Sequence, residues 1–335
     1  HDDINKVIWS MRGWNPEKDV REIVTEYASF FFGYNIAEQV GHGIIGLEQN
    51  WSGPIIENGS IEPTFAFWQN LEKQNQYLAD NWRWQMLQLH AYYDVYTRRR
   101  LVYEQNLEKE ANSILAQASN IGVEDAMQKA LAQVNKADSE PQNSDLRDKI
   151  EHYCIALFKS IGLQTSVELY QAANTQRGCV WDFVDYPLNN RWWLEDEFNK
   201  ISKMGTDAEK LERLEIIRNW ENPGTESFYD DVSNYTKGPR VTTTSYDACD
   251  VAWWDSGFSR KRLSSQLFQT SPELEYENLD QNGRYIIRIC GLGDALLRVD
   301  GKRLEPIVYN KEIGTFKEFV VPKVHTMDGK ISVTF

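Results

Sequence analysis

The segment Trp181-Asp182-Phe183-Val184-Asp185-Tyr186-Pro187, with Trp192 and Trp193 close behind, gathers two carboxylates and two kinds of aromatic surface. Sugars are bound by that mixture, because an indole face covers C–H groups while a carboxylate accepts from hydroxyls. Glycoside hydrolysis requires two carboxyl groups about 5 to 9.5 Å apart across the scissile bond. Asp182 and Asp185 can approach one another in a loop or on a helical turn. They can equally cap helices or pair with Arg177 and Arg191. Catalysis, sugar contact and a structural role all stay open for this pair, the structural role being the simplest. Trp181, Trp192 and Trp193 are the candidate stacking surfaces.

Ser227-Phe228-Tyr229-Asp230-Asp231 is a second constellation, placed in the connection after Pro223-Gly224. Asp230 is a further candidate acid, and Tyr229 and Asp231 are candidate substrate contacts. Adjacent carboxylates suit Ca²⁺, but the D-x-[DN]-x-[DN]-G loop is absent, and simple solvation explains the acids as well. No metal and no cofactor are expected. Trp51, between Glu48 and Glu57, could line a groove but reads more simply as packing at a helix end. Asn58-Gly59-Ser60 formally meets the N-x-S pattern. His42, His90 and His152 fall on helical patterns without HExxH spacing and read as satisfied core or surface residues. Gly291-Leu292-Gly293 lacks the rest of a dinucleotide fingerprint and reads as a β-turn. Of Trp253 and Trp254, opposite faces of a strand would bury one and expose the other.

The elements that must position these residues follow from composition and period. At 335 residues, two domains is the natural expectation. Hydrophobic residues make up 41%, with 12 Trp and 16 Tyr, enough for a substantial core with indoles to spare. The net charge of −14 disfavours a nucleic-acid backbone as partner, and Arg98-Arg99-Arg100 is too short a patch to reverse it. The four cysteines, Cys154, Cys179, Cys249 and Cys290, form no CxxC pair and read as buried thiols. No apolar run approaches the roughly 20 residues of a membrane span. His1-Asp2-Asp3 opens with the wrong charge for a signal peptide, and Ile4 to Trp9 reads as a short strand, as if a preceding domain had been removed.

Helical patterns then dominate. Asn15 and Pro16 have the form of an N-cap and first turn, Val20 to Phe31 recur at helical spacing, and Gly33 ends the run. Further helices are expected from Ile36 to Trp51, and from Ile61 through Leu107 as two helices joined near Ala79-Asp80-Asn81. Others cover 123–135, 144–161, 165–173, 191–203 and 206–220. From about Arg240 the period changes to short β-branched and aromatic runs at 242–244, 284–289, 295–299, 316–321 and 330–335. Asp300-Gly301 and Asp328-Gly329 are turn signals. The expected fold is multidomain: an all-α helical domain over 1–235, then an antiparallel β-sandwich of jelly-roll type over 236–335.

Val7-Ile8-Trp9-Ser10, Gly13-Trp14-Asn15-Pro16, and Tyr27-Ala28-Ser29-Phe30-Phe31-Phe32-Gly33 together resemble the region after the catalytic barrel in large bacterial glycoside-hydrolase-like proteins. These are related to α-glucuronidase-like and hexosaminidase-like groups. Trp51-Ser52-Gly53-Pro54 and the 227–231 segment look like the same polysaccharide-utilisation set. Tyr276-Glu277-Asn278-Leu279 with Arg284 to Arg288 looks like a galactose-binding jelly roll. The resemblance implies a bacterial, exported, periplasmic or surface protein that meets an oligosaccharide or polysaccharide, with its catalytic barrel upstream. The leading expectation is an accessory portion of a carbohydrate-active enzyme. A glycoside hydrolase that retains its own carboxylates, and a purely structural module, are the alternatives.

Overall fold

The structure is a computed structural model that describes residues 2–52, 54–171, 180–232, 238–243, 245–252, 263–290, 296–309 and 316–335. In chain order the helices are α1 (Asp2–Trp14), α2 (Val20–Phe32), α3 (Ala37–Gln49), α4 (Ile61–Gln74), α5 (Trp82–Leu115), α6 (Ala118–Ile121) and α7 (Val123–Val134). After them come α8 (Lys136–Ser139), α9 (Ser144–Ile161), α10 (Val167–Tyr170), α11 (Val180–Phe183), α12 (Arg191–Ile201) and α13 (Asp207–Arg218). The strands follow: β1 (Ser245–Ala252), β2 (Leu263–Phe268), β3 (Glu273–Glu277), β4 (Ile286–Cys290), β5 (Arg298–Val299), β6 (Lys302–Arg303), β7 (Phe316–Val320) and β8 (Lys330–Thr334). Helices therefore fill the first two thirds, and an antiparallel sheet region ends the chain. The chain divides into two compact units, one of His1–Gln105 with Ala137–Tyr186, the other of Asn106–Lys136 with Pro187–Phe335.

In the first unit, the expected strand at Ile4–Trp9 is instead part of α1. Ile4, Val7 and Met11 recur at helical rather than alternating spacing, and Ile4 is buried. Asp3 ties the helix down by accepting from Tyr27 Oη at 2.8 Å and Arg83 Nε at 2.7 Å. Nor does Asn15 open the next helix: its amide still donates to Met11 at 2.8 Å. The N-cap is Asp19, whose carboxylate accepts from the amides of Arg21 and Glu22. Ile23, Val24, Tyr27, Ala28 and Phe32 form the buried face of α2, and Gly33, at φ 108°, stops it.

Glycines inside α3 allow close packing. A methyl on Gly41 would lie 2.9 Å from Thr25 Oγ1, and one on Gly43 2.8 Å from the Trp68 ring. Trp68 also donates its indole N–H to the Gly43 carbonyl at 3.1 Å. The break between α4 and α5 falls where expected, since Asn81 Oδ1 accepts from the amides of Arg83 and Trp84 and so caps α5. In its first half α5 buries Trp84, Leu87, Ala91, Tyr92 and Val95, whose i, i+3, i+7, i+8 and i+11 spacing makes one broad apolar face.

In the second unit, the end of α5, α7, α12 and α13 share a core that includes Leu115, Met127, Val134, Trp193, Phe198 and Leu214. Thr206 and Glu209 form a capping box at the start of α13. The sheet region holds a four-stranded sheet in the order β3-β8-β5-β6 and two antiparallel pairs, β1-β2 and β4-β7. β5 and β6 are joined by Asp300-Gly301 at φ 49° and 75°, the two positive values that a type I′ hairpin turn requires. Strands β1 to β3 were not expected. Glu273, Glu275 and Glu277 in β3 are poor strand formers, yet β3 is aligned by pairing Leu274 with Val333 and Tyr276 with Ile331. Among the described residues, no helix is long and apolar enough to cross a membrane.

Candidate functional site

The aromatic–acidic segment resolves into three separate jobs. Trp181 donates its backbone amide to the Thr165 carbonyl at 3.0 Å, and its half-buried ring lies under Arg147, whose guanidinium carbon is 4.5 Å from the ring centroid. Asp182 accepts from Ser166 Oγ at 2.6 Å and from the Val167 amide at 2.7 Å. Since Ser166 is the N-cap of α10, Asp182 braces a helix start. Asp185 points elsewhere. Its Oδ1 accepts from Tyr96 Oη at 2.9 Å, and its Oδ2 from Arg147 Nε at 2.8 Å and Nη2 at 2.7 Å.

Helix α5 supplies the wall behind this carboxylate. Tyr96, Arg100 and Glu104 recur every fourth residue and so share a face. Arg100 donates to Glu104 Oε1 through Nε at 3.0 Å and Nη2 at 2.6 Å. The same guanidinium reaches the Val184 carbonyl and, at 3.0 Å, the Tyr186 carbonyl. One buried ion pair thus fixes the backbone on both sides of Asp185. The result is a cavity of about 280 Å³, lined by this face of α5, by Tyr103, Asp138 and Gln142, and by Arg147 and Asp185.

Partial burial opposes ionisation of Asp185, but the Arg147 and Tyr96 hydrogen bonds and the charges of Arg147 and Arg100 prevail and hold it below the usual carboxylate range. Burial pushes the Tyr96 hydroxyl up, so it stays a neutral donor. An ionised carboxylate has about four acceptor positions, and three donors reach Asp185, so it can accept one more. Arg147 keeps Nη1 outside the pair. The cavity therefore offers an acceptor, a planar donor and phenol rings. It offers Asp185 as an anion and hence as a base or acceptor, not as a proton donor.

The other sequence candidates lie in the second unit. Trp193 is buried in its helical core and meets Trp220 edge-on at 5.2 Å; Trp192 is half-buried. Asp230, with 2% of its side chain exposed, pairs with Arg240 Nη1 at 3.1 Å and also accepts from the Arg240 amide at 3.3 Å. Arg240 stacks on Phe228 at 4.5 Å. Asp230 thus joins the connecting segment to the sheet region, with Tyr229 and Asp231 half-buried beside it. Arg177, Cys179, Trp253, Trp254, Asp255 and Gly291–Gly293 lie outside the described residues.

Tyr96, Arg100, Glu104 and Arg147 were not singled out from the sequence as site residues. The i, i+4 spacing of the first three was not read, and Arg100 entered only as part of the short basic patch Arg98-Arg99-Arg100. Arg98 and Arg99 both pair with Glu62, at 3.5 and 2.8 Å, and Arg100 with Glu104, so each member of the triplet has a carboxylate partner within the fold. Among the described residues, no group of three or more His, Cys, Asp or Glu is placed to hold a metal ion. No family model matches this chain, and no curated protein or solved structure matches it.

Proposed function

We propose that this chain is an accessory, glycan-contacting part of a carbohydrate-active protein, with the α5–α9 cavity as its contact site. The observation that carries this reading is the Asp185–Arg147–Tyr96 cluster, which opens on a cavity of about 280 Å³. Polyols are held by anionic acceptors, planar donors and aromatic rings acting together. Asp185, Arg147, Tyr96 and Tyr103 supply that combination in the cavity's lining, and the Trp181 ring lies against Arg147 at 4.5 Å.

Two observations favour contact over catalysis. Asp182 and Asp230 are committed to a helix start and an Arg240 ion pair. Asp185 is held ionised, which removes it as the general acid that glycoside hydrolysis needs. Catalytic acids would then come from a separate domain of an exported bacterial precursor, in keeping with the resemblance carried by the 7–33 segment. The sheet region fits the same proposal as a two-layer, jelly-roll-like sandwich. Leu274 of β3, Val299 of β5 and Ile331 and Val333 of β8 share one core with Phe319 of β7.

The test is to present the chain with a panel of neutral and acidic oligosaccharides, following both binding and product release. Binding without product, weakened by Asp185→Asn and Arg147→Ala, is expected. Product release lost in Asp185→Asn would make the chain a hydrolase. Absence of both binding and turnover would leave a structural module.

A further inference from the structure

The turn that follows α3 is fastened to α5 by a polar cluster outside the cavity. Asp94, with 1% of its side chain exposed, accepts from Asn50 Nδ2 at 2.7 Å and from Trp51 Nε1 at 3.0 Å. His90, one turn earlier on the same helix, brings its Nε2 to 3.3 Å from both Asp94 Oδ2 and Trp51 Nε1. Trp51 itself stays 45% exposed, so the cluster holds an indole that faces solvent. Around it, Asn58 Nδ2 donates to the carbonyls of Gln49 and Asn50 at 2.9 Å, and Ser60 Oγ donates to Asn50 Oδ1.

The donor count constrains the protons. An indole N–H only donates, so the nitrogen of His90 that faces it presents a lone pair. Asp94 Oδ2 faces that same nitrogen at 3.3 Å, so all three contacts are satisfied together when this oxygen carries the proton. If the carboxyl ionises, the imidazole has to turn its N–H toward Asp94, and Trp51 is left with Asp94 Oδ1 alone.

We propose that the buried Asp94 carboxyl, in contact with His90, is a proton-responsive anchor for the exposed Trp51 indole. With the proton on Asp94, the indole N–H is divided between two acceptors. Once Asp94 has released its proton to solvent and the neutral His90 presents its own N–H to the carboxylate, the indole makes one charge-assisted bond to Asp94. The groups around the pair agree with a transition near neutrality. Burial, with the Glu48 carboxylate of α3 adding to it, raises Asp94 to about 7 against the opposing bonds from Asn50 and Trp51. Burial lowers His90 to about 4, so it stays neutral through that transition. Arg98, the next turn of α5, is taken by Glu62 of α4 at 3.5 Å and does not neutralise Asp94.

The indole ¹⁵N–¹H signal of Trp51 in the full chain, identified by its loss in Trp51→Phe, reads this directly. It is expected to move downfield as pH rises from 5 to 9, with one transition near neutrality that is lost in Asp94→Asn. His90→Gln keeps a donor facing the carboxylate and is expected to shift the midpoint down by about one pH unit or more. A Trp51 signal that is flat from pH 5 to 9 would overturn the proposal. So would a transition that survives in Asp94→Asn, or one whose midpoint is unmoved in His90→Gln.

Discussion

Arg100 binds Glu104 and the carbonyls of Val184 and Tyr186 with one guanidinium, so its removal should be felt well beyond one contact. Arg100→Met removes the guanidinium from a carboxylate that is 1% exposed, and urea unfolding should show a loss of about 3–5 kcal/mol. Asp185 gives a pH signature. Its folded pKa lies below its ordinary value of 3.8, so its contribution is fully present above that value and is lost as pH falls through the folded pKa. The acid limb of the stability curve should therefore be shallower in Asp185→Asn. The Asp94–His90 pair gives a crossed result. Asp94 rises from 3.8 to about 7 on folding, so its term weakens as pH rises between those values. His90 falls from 6.5 to about 4, so its term strengthens as pH rises between those. The two offset each other in the native chain. Asp94→Asn should lose on the order of 3 kcal/mol on acidification through that window, and His90→Gln a similar amount as pH rises through it, both read from denaturant midpoints. Of the site, the sequence made Asp185 visible through its aromatic neighbours. Arg147 was hidden because it joins Asp185 only in space, across 38 residues.

The elements show why some boundaries were legible and others were not. Gly33, and Asn81 before α5, act through their own backbone and the next turn, so local chemistry announced them. The start of α2 was misplaced because Asn15-Pro16 offers the same cap chemistry as Asp19 four residues on, and packing decides between them. β3 was missed because its three glutamates oppose strand formation locally, while β8 supplies the register from more than 50 residues away. Asp300-Gly301 was legible because positive φ at both positions leaves few residue choices. Gly43→Ala tests packing at this scale: a methyl 2.8 Å from the Trp68 ring should cost about 1–3 kcal/mol, seen as a lower thermal midpoint. Gly122→Ala, where no atom lies within reach but φ is 93°, should be destabilising through backbone strain alone.

Across the whole molecule, a net charge of −14 sets what can approach. A neutral glycan is indifferent to that field, so its affinity should change little between low and high salt, whereas an acidic one should bind better as salt screens the repulsion. The division into two units also bears on dynamics, since the core shared by α7, α12 and α13 lies wholly within the second. Phe198→Ala should lower hydrogen-exchange protection in α7, α12 and α13 by more than in α2 to α4. The most direct test of the central claim is calorimetric titration of the full chain and its Arg147→Ala variant with the best ligand of the oligosaccharide panel. Loss of one charged hydrogen bond and its stacked ring should weaken binding about 10-fold or more. Equal affinity of the two proteins would contradict the assignment of this cavity as the glycan site.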